Sequence, residues 1–153
     1  MDIWQAIILG IVQGFTEWLP ISSSGHLALL QQLFGLDVPI SFDILLHFAT
    51  LLVLFTVYWE DLLSICKAWL RFDRQASEFR LGYLLILGTI PTAIIGLLFK
   101  DLFSSFFSSI LAIGIAYLFT AAILFLSKFA SENQKMSVPS ALLVGIAQGI
   151  AII

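Results

Sequence analysis

Gln13 and Glu17 stand four positions apart in an apolar run, so on a helix they share one face, about 6 Å from each other. Glu17 is the only carboxylate between Asp2 and Asp37. An unpaired carboxylate in low dielectric is costly, so Glu17 must either take up a proton or find a partner. Inside a membrane such a residue marks a working site; the competing reading is a Glu at an aqueous interface beside Trp18. Shortly after it come Pro20, Ile21, Ser22, Ser23, Ser24, Gly25 and His26. The serines offer hydroxyls, and a helix starting near Gly25 would add free N–H groups; both suit a phosphate. A Ser-rich cap satisfying its own backbone is the plainer alternative. His26 favours the first reading, since an imidazole can exchange a proton near neutral pH or attack phosphorus. His47, one helical turn after Asp43, is a weaker candidate, more naturally a structural partner of that aspartate.

The elements that must hold these groups are those of a membrane protein. Of 153 residues, 60% are hydrophobic and 11% charged, with a mean hydropathy of +1.05. A soluble domain carries about a quarter of its residues as Asp, Glu, Lys or Arg. The composition excludes a soluble globule, a disordered tail, a disulfide scaffold and any nucleic-acid binder that relies on a basic surface. The single cysteine, Cys66, cannot form an internal disulfide, and no Cys/His pairing suggests zinc.

Three segments are long enough to cross a hydrocarbon core: residues 40–59, 81–99 and 110–127. The second contains Gly82, Gly88, Pro91 and Gly96, which predicts a kinked helix packed closely on its neighbours. Residues 60–80 carry Lys67, Arg71, Arg74 and Arg80, and residues 128–140 carry Lys128 and Lys135, whereas residues 100–109 carry only Lys100. This bias puts the first two loops in the cytoplasm. Leu62, Ile65, Cys66 and Trp69 then form an apolar stripe beside Lys67, Arg71 and Arg74, as in a helix lying on the membrane surface.

Residues 3–36 do not fit a span followed by a return. Two apolar arms flank the Pro-Ser-Gly turn, and the second is too short to cross, so the expected form is a re-entrant helical hairpin entering from outside. Leu9-Gly10-Ile11-Val12-Gln13-Gly14 recurs as Val144-Gly145-Ile146-Ala147-Gln148-Gly149. Three intervening spans would make the second copy enter from the opposite side, an inverted-topology repeat. The expected fold is thus an all-α integral membrane protein, a polytopic helix bundle. Residues 1–140 form its first repeat and residues 141–153 the start of a second.

The run from Gly10 through Gln13, Glu17, Pro20, Ser22, Ser23, Gly25 and His26 to Leu27 resembles the first signature of the bacitracin-resistance undecaprenyl-diphosphatases, Glu/Gln-x-x-x-Glu followed by Pro-x-Ser-Ser-x-Gly-His. Phe42-Asp43-Ile44-Leu45-Leu46-His47 and Ile90-Pro91-Thr92-Ala93-Ile94-Ile95-Gly96 are similar to later stretches of that family. The resemblance implies a phosphatase that converts undecaprenyl diphosphate to undecaprenyl phosphate, recycling the lipid carrier of cell-wall synthesis. It implies a multi-pass protein of the bacterial inner membrane, a site facing outward and a divalent cation, usually Mg2+. Glu17 would serve as metal or acid–base carboxylate and His26 as nucleophile or proton donor. Ser22 and Ser23 would be catalytic hydroxyls, with Ser24, Gly25 and Gln13 binding substrate. The family's second signature, Pro-Gly-x-Ser-Arg-Ser, would follow Ile153, and its arginine would clamp the diphosphate. On that reading the chain is slightly more than half of a larger protein and is expected to be inactive alone, unless two copies pair as a homodimer. A transporter or polyprenyl-phosphate flippase is the alternative, because the inverted repeat is a transporter architecture.

Overall fold

In hydrocarbon every backbone N–H and C=O must be bonded, and a helix achieves this within one segment. The computed structural model describes residues 1–107, 109–129 and 136–151, and all regular structure among these is helical. The helices are α1 (Ile3–Thr16), α2 (Ser23–Leu33), α3 (Ile40–Val57), α4 (Trp59–Leu70), α5 (Ser77–Leu98), α6 (Lys100–Phe107), α7 (Ile110–Ser127) and α8 (Val138–Ile150). Helices α3, α5 and α7 are long and apolar enough to cross a membrane. Their side chains are mostly exposed within the chain itself, among them Phe48, Phe55, Leu85, Leu118 and Phe125, as lipid-facing surfaces are. The chain is an all-α, multi-pass membrane protein.

Two compact units divide the described residues, with the division falling inside α3 between Leu51 and Leu52. The first unit comprises residues 1–51 and 100–129. Asp2 opens α1 with a capping box: its carboxylate accepts from the Gln5 N–H at 2.8 Å while Gln5 Oε1 accepts from the Asp2 N–H at 2.8 Å. Leu9, Gln13 and Thr16 form the buried face of α1, and α1 packs against α2. Gly35 ends α2 in the left-handed region at φ 61°, and the Leu36 N–H reaches back to the Gln31 carbonyl at 2.8 Å. Gln31 Nε2 donates to Asp43 Oδ1 (2.7 Å) and Gln32 Nε2 to the Phe107 carbonyl (2.9 Å), so the end of α2 is tied to both α3 and α6.

In the second unit α5 packs against α4 and, more extensively, α8. Ala141, Gly145 and Gly149 form the buried stripe of α8. A Cβ added at Gly145 would collide with the Gly88 carbonyl oxygen of α5, and one at Gly149 would sit 2.8 Å from Ile95 Cδ1. Such backbone proximity is what small residues allow in membrane helices. Thr92, next to Pro91, places Oγ1 2.7 Å from the Gly145 carbonyl and 3.2 Å from that of Gly88.

Three local outcomes depart from the sequence-based reading. The turn of the hairpin is shorter, because α2 starts at Ser23 and so takes in all of Ser23–Gly25. Residues 100–107 coil into a helix, not a plain loop. The apolar stripe of α4 is partly consumed inside the protein: Ile65 and Trp69 press on Gly82 of α5, Trp69 stacks on Phe79 with ring centroids 5.0 Å apart, and its Nε1 donates to the Phe79 carbonyl at 3.2 Å. Cys66 of the same stripe stays exposed. Lys135, counted among the basic loop residues, and Ile153 lie outside the described residues.

Candidate active site

The turn between α1 and α2 is built around Ser22. Its φ of 63° is one a non-glycine residue rarely takes, and such strain concentrates at working sites. This conformation lets its Oγ cap α2 by accepting from the Gly25 N–H at 3.2 Å. The Ser22 carbonyl accepts from the His26 N–H (3.2 Å) and from His26 Nδ1 (2.7 Å). A carbonyl only accepts, so Nδ1 carries a proton, and in the neutral tautomer Nε2 then keeps a free lone pair. Of the first-turn amides, which have no acceptor within a helix, Gly25's is capped and those of Ser23 and Ser24 are left for solvent or an anion.

Glu17 lies one turn beyond Gln13 at the end of α1, and its Oε2 is the point of convergence. Gln13 Nε2 donates to it at 2.9 Å and Ser23 Oγ at 2.7 Å, while His47 Nε2 stands 4.0 Å away. Because a carboxylate oxygen can only accept, the Gln13 amide must turn its nitrogen towards Glu17. Gln13 Oε1 then points into the protein with no partner, although Gln13 is only 1% exposed. Glu17 Oε1 takes none of these contacts. His47 is delivered by α3: its Nδ1 donates to the Asp43 carbonyl at 2.8 Å, while the Asp43 carboxylate is occupied by Gln31. The Asp43–His47 pairing read from sequence thus runs through the main chain, and the imidazole turns to Glu17.

Gln13, Glu17, Ser22, Ser23 and His26 are therefore gathered in one hairpin. Ser24 is half-buried and stands outside this hydrogen-bond set, and Gly25 is buried. A Cβ at Gly25 would meet Ser22 Oγ at 2.9 Å and Tyr117 Oη at 3.1 Å. Tyr117, on α7, tilts its ring over His26 with centroids 4.9 Å apart, and its hydroxyl is buried without a partner. Sequence reasoning missed Tyr117, which sits in an apolar run with nothing local to mark it. It placed His47 at Asp43 although an intramembrane histidine was itself a signal.

A divalent cation fits this donor set. Mg2+ takes oxygen ligands and is commonly held by one or two carboxylates together with substrate phosphates. The open Glu17 Oε1 and the orphaned Gln13 Oε1 supply oxygen, whereas no group of three His, Cys, Asp or Glu side chains forms a ready cage among the described residues.

The family model described as bacitracin resistance protein BacA matches residues 6–153. Proteins named undecaprenyl-diphosphatase are similar to the chain throughout: one from Methanosphaera stadtmanae is 42% identical, covering 99% of this chain and 62% of its own length. Others are one from Halothermothrix orenii, 42% identical over 100% and 59%, and one from Carboxydothermus hydrogenoformans, 45% identical over 100% and 58%. The chain spans about three fifths of the length of these curated relatives. No solved structure matches it.

Proposed function

This chain belongs to the bacitracin resistance protein BacA family, and from that membership and the geometry of its first hairpin we propose that the protein hydrolyses undecaprenyl diphosphate to undecaprenyl phosphate and phosphate. The product is the lipid carrier of cell-wall synthesis, so the reaction recycles it. The observation that carries the reading is the Ser23 hydroxyl held 2.7 Å from Glu17 Oε2, beside the open amides of α2. A hydroxyl bonded to a carboxylate is a nucleophile with its base in place.

The terminal phosphate sits on the first turn of α2, against the Ser23 and Ser24 amides and the Ser22 hydroxyl. Ser23 Oγ attacks the terminal phosphorus and its proton passes to Glu17; the bridging P–O bond breaks and undecaprenyl phosphate leaves. Water then attacks the phosphoserine, giving a proton to His26 Nε2, and Ser23 Oγ recovers its proton from Glu17 as phosphate departs. Nδ1–H, held by the Ser22 carbonyl, keeps the imidazole in the tautomer that can accept that proton. A Mg2+ ion held by Glu17 and the Gln13 side-chain oxygen would neutralise charge on the diphosphate.

The basic residues of 60–80 and Lys128 support a bacterial inner-membrane orientation with this hairpin opening outward. The test is phosphate release from undecaprenyl diphosphate by the full gene product in detergent micelles with Mg2+. Release that disappears in Ser23→Ala is expected. Absence of any release by the wild-type protein, with lipid translocation in vesicles instead, overturns the proposal in favour of a transporter.

A further inference from the structure

Tyr117 carries a buried phenol hydroxyl with no hydrogen-bond partner, on a helix otherwise free of polar side-chain contacts to the hairpin. Burying a hydroxyl unpaired is destabilising, and native proteins rarely leave one so. Its place in the fold is specific. The hydroxyl lies 3.1 Å and Cε1 3.3 Å from the point a Gly25 Cβ would occupy, and Ser22 Oγ lies 2.9 Å from the same point. Two hydroxyls, one from the hairpin turn and one from α7, therefore converge on the bare backbone of the third residue of α2. That turn is the one whose Ser23 and Ser24 amides remain open. The ring meanwhile packs on His26 at 4.9 Å.

We propose that Tyr117 is a further substrate-binding residue, its hydroxyl donating to an oxygen of the diphosphate seated on the first turn of α2. The proposal rests on the diphosphatase reading above. An anion on that turn supplies the acceptor that the fold does not. Gly25 keeps the space between the hydroxyl and the turn clear, and α7, which packs on α2, carries the donor from outside the hairpin. The same orphaned state marks Gln13 Oε1 of the hairpin, and these are the two buried side-chain polar atoms without partners among the described residues.

Tyr117→Phe keeps the ring on His26 and deletes only the hydroxyl, so it separates binding from packing. In the full gene product, the variant is expected to unfold at the wild-type temperature or above it, because an unpaired buried hydroxyl has been removed. Its kcat/KM for undecaprenyl diphosphate is expected to fall about tenfold, chiefly through KM, the size of one hydrogen bond to a charged group. A variant with wild-type kcat/KM overturns the proposal. So does a variant whose activity and melting temperature fall together, since the hydroxyl would then have a partner inside the fold. A wild-type protein that releases no phosphate defeats the diphosphatase reading itself and this proposal with it.

Discussion

His47 turns its Nε2 towards Glu17 Oε2 at 4.0 Å, so the end of α1 and the middle of α3 meet at the carboxylate. The orientation is imposed from behind, where Nδ1 is bound to the Asp43 carbonyl. Glu17 is thereby surrounded by the amide of Gln13, the hydroxyl of Ser23 and an imidazole.

His47→Leu replaces that imidazole with hydrocarbon, whereas His47→Gln keeps a polar side chain facing Glu17. We expect kcat/KM to fall about tenfold in the leucine variant, the cost of one lost contact to a charged group, and to stay within a few-fold of wild type in the glutamine variant. Equal activities in the two variants would show that the imidazole does not act on Glu17.

Glu17→Gln leaves an oxygen to accept from Gln13 and Ser23 but removes the base and its charge. Turnover should drop by about 10² or more while the protein still inserts and purifies normally. Steady-state phosphate release gives the measurement, and near-normal turnover would sink the role assigned to Glu17.

Ser22 combines a left-handed backbone with a side-chain cap, and two substitutions split these contributions. Ser22→Gly relieves the φ of 63° while losing the bond to the Gly25 N–H; Ser22→Ala loses the bond and keeps the strain. Thermal melts are expected to place the alanine variant about 1 kcal/mol below the glycine variant. Both lose activity with the hydroxyl, so the difference must appear in stability alone.

Gly145 and Gly114 make opposite forecasts for the same change. A Cβ at Gly145 strikes the Gly88 carbonyl, whereas one at Gly114 meets nothing within 4 Å. Gly145→Ala should destabilise by about 1–3 kcal/mol, the usual cost of overpacking. Gly114→Ala should be neutral or stabilising by up to about 1 kcal/mol through helix propensity. Comparable melting temperatures for the two variants would contradict the α5–α8 contact.

Orientation is testable with a membrane-impermeant thiol reagent in intact cells. Cys66 is exposed and must first be replaced by Ser to remove the background. A cysteine then placed at Pro39 should be labelled and one at Gln75 should not; the reverse pattern overturns the outward-facing hairpin.

Much of this was written locally. The three long helices follow from uninterrupted apolar runs, because a helix bonds every backbone group of a single segment in hydrocarbon. The Gln13–Glu17 contact follows from helical spacing, and Ser23 and His26 follow within the same short turn, so neighbours in sequence became neighbours in space. The hexapeptide repeat was equally visible, yet its two copies bury different faces. In α1 the inward residues are Leu9 and Gln13; in α8 they are Gly145 and Gly149, while Gln148, the counterpart of Gln13, is exposed. The same six-residue pattern offers a polar face and a small-residue face, and only the neighbouring helix selects between them. His47 joins α3 to the end of α1 at Glu17, Gln31 joins α2 to Asp43, and Tyr117 reached Gly25 only because α7 packs on α2. Contacts of that kind join residues far apart in the chain, and neither periodicity nor composition records them, since they exist only once separate helices have chosen their partners.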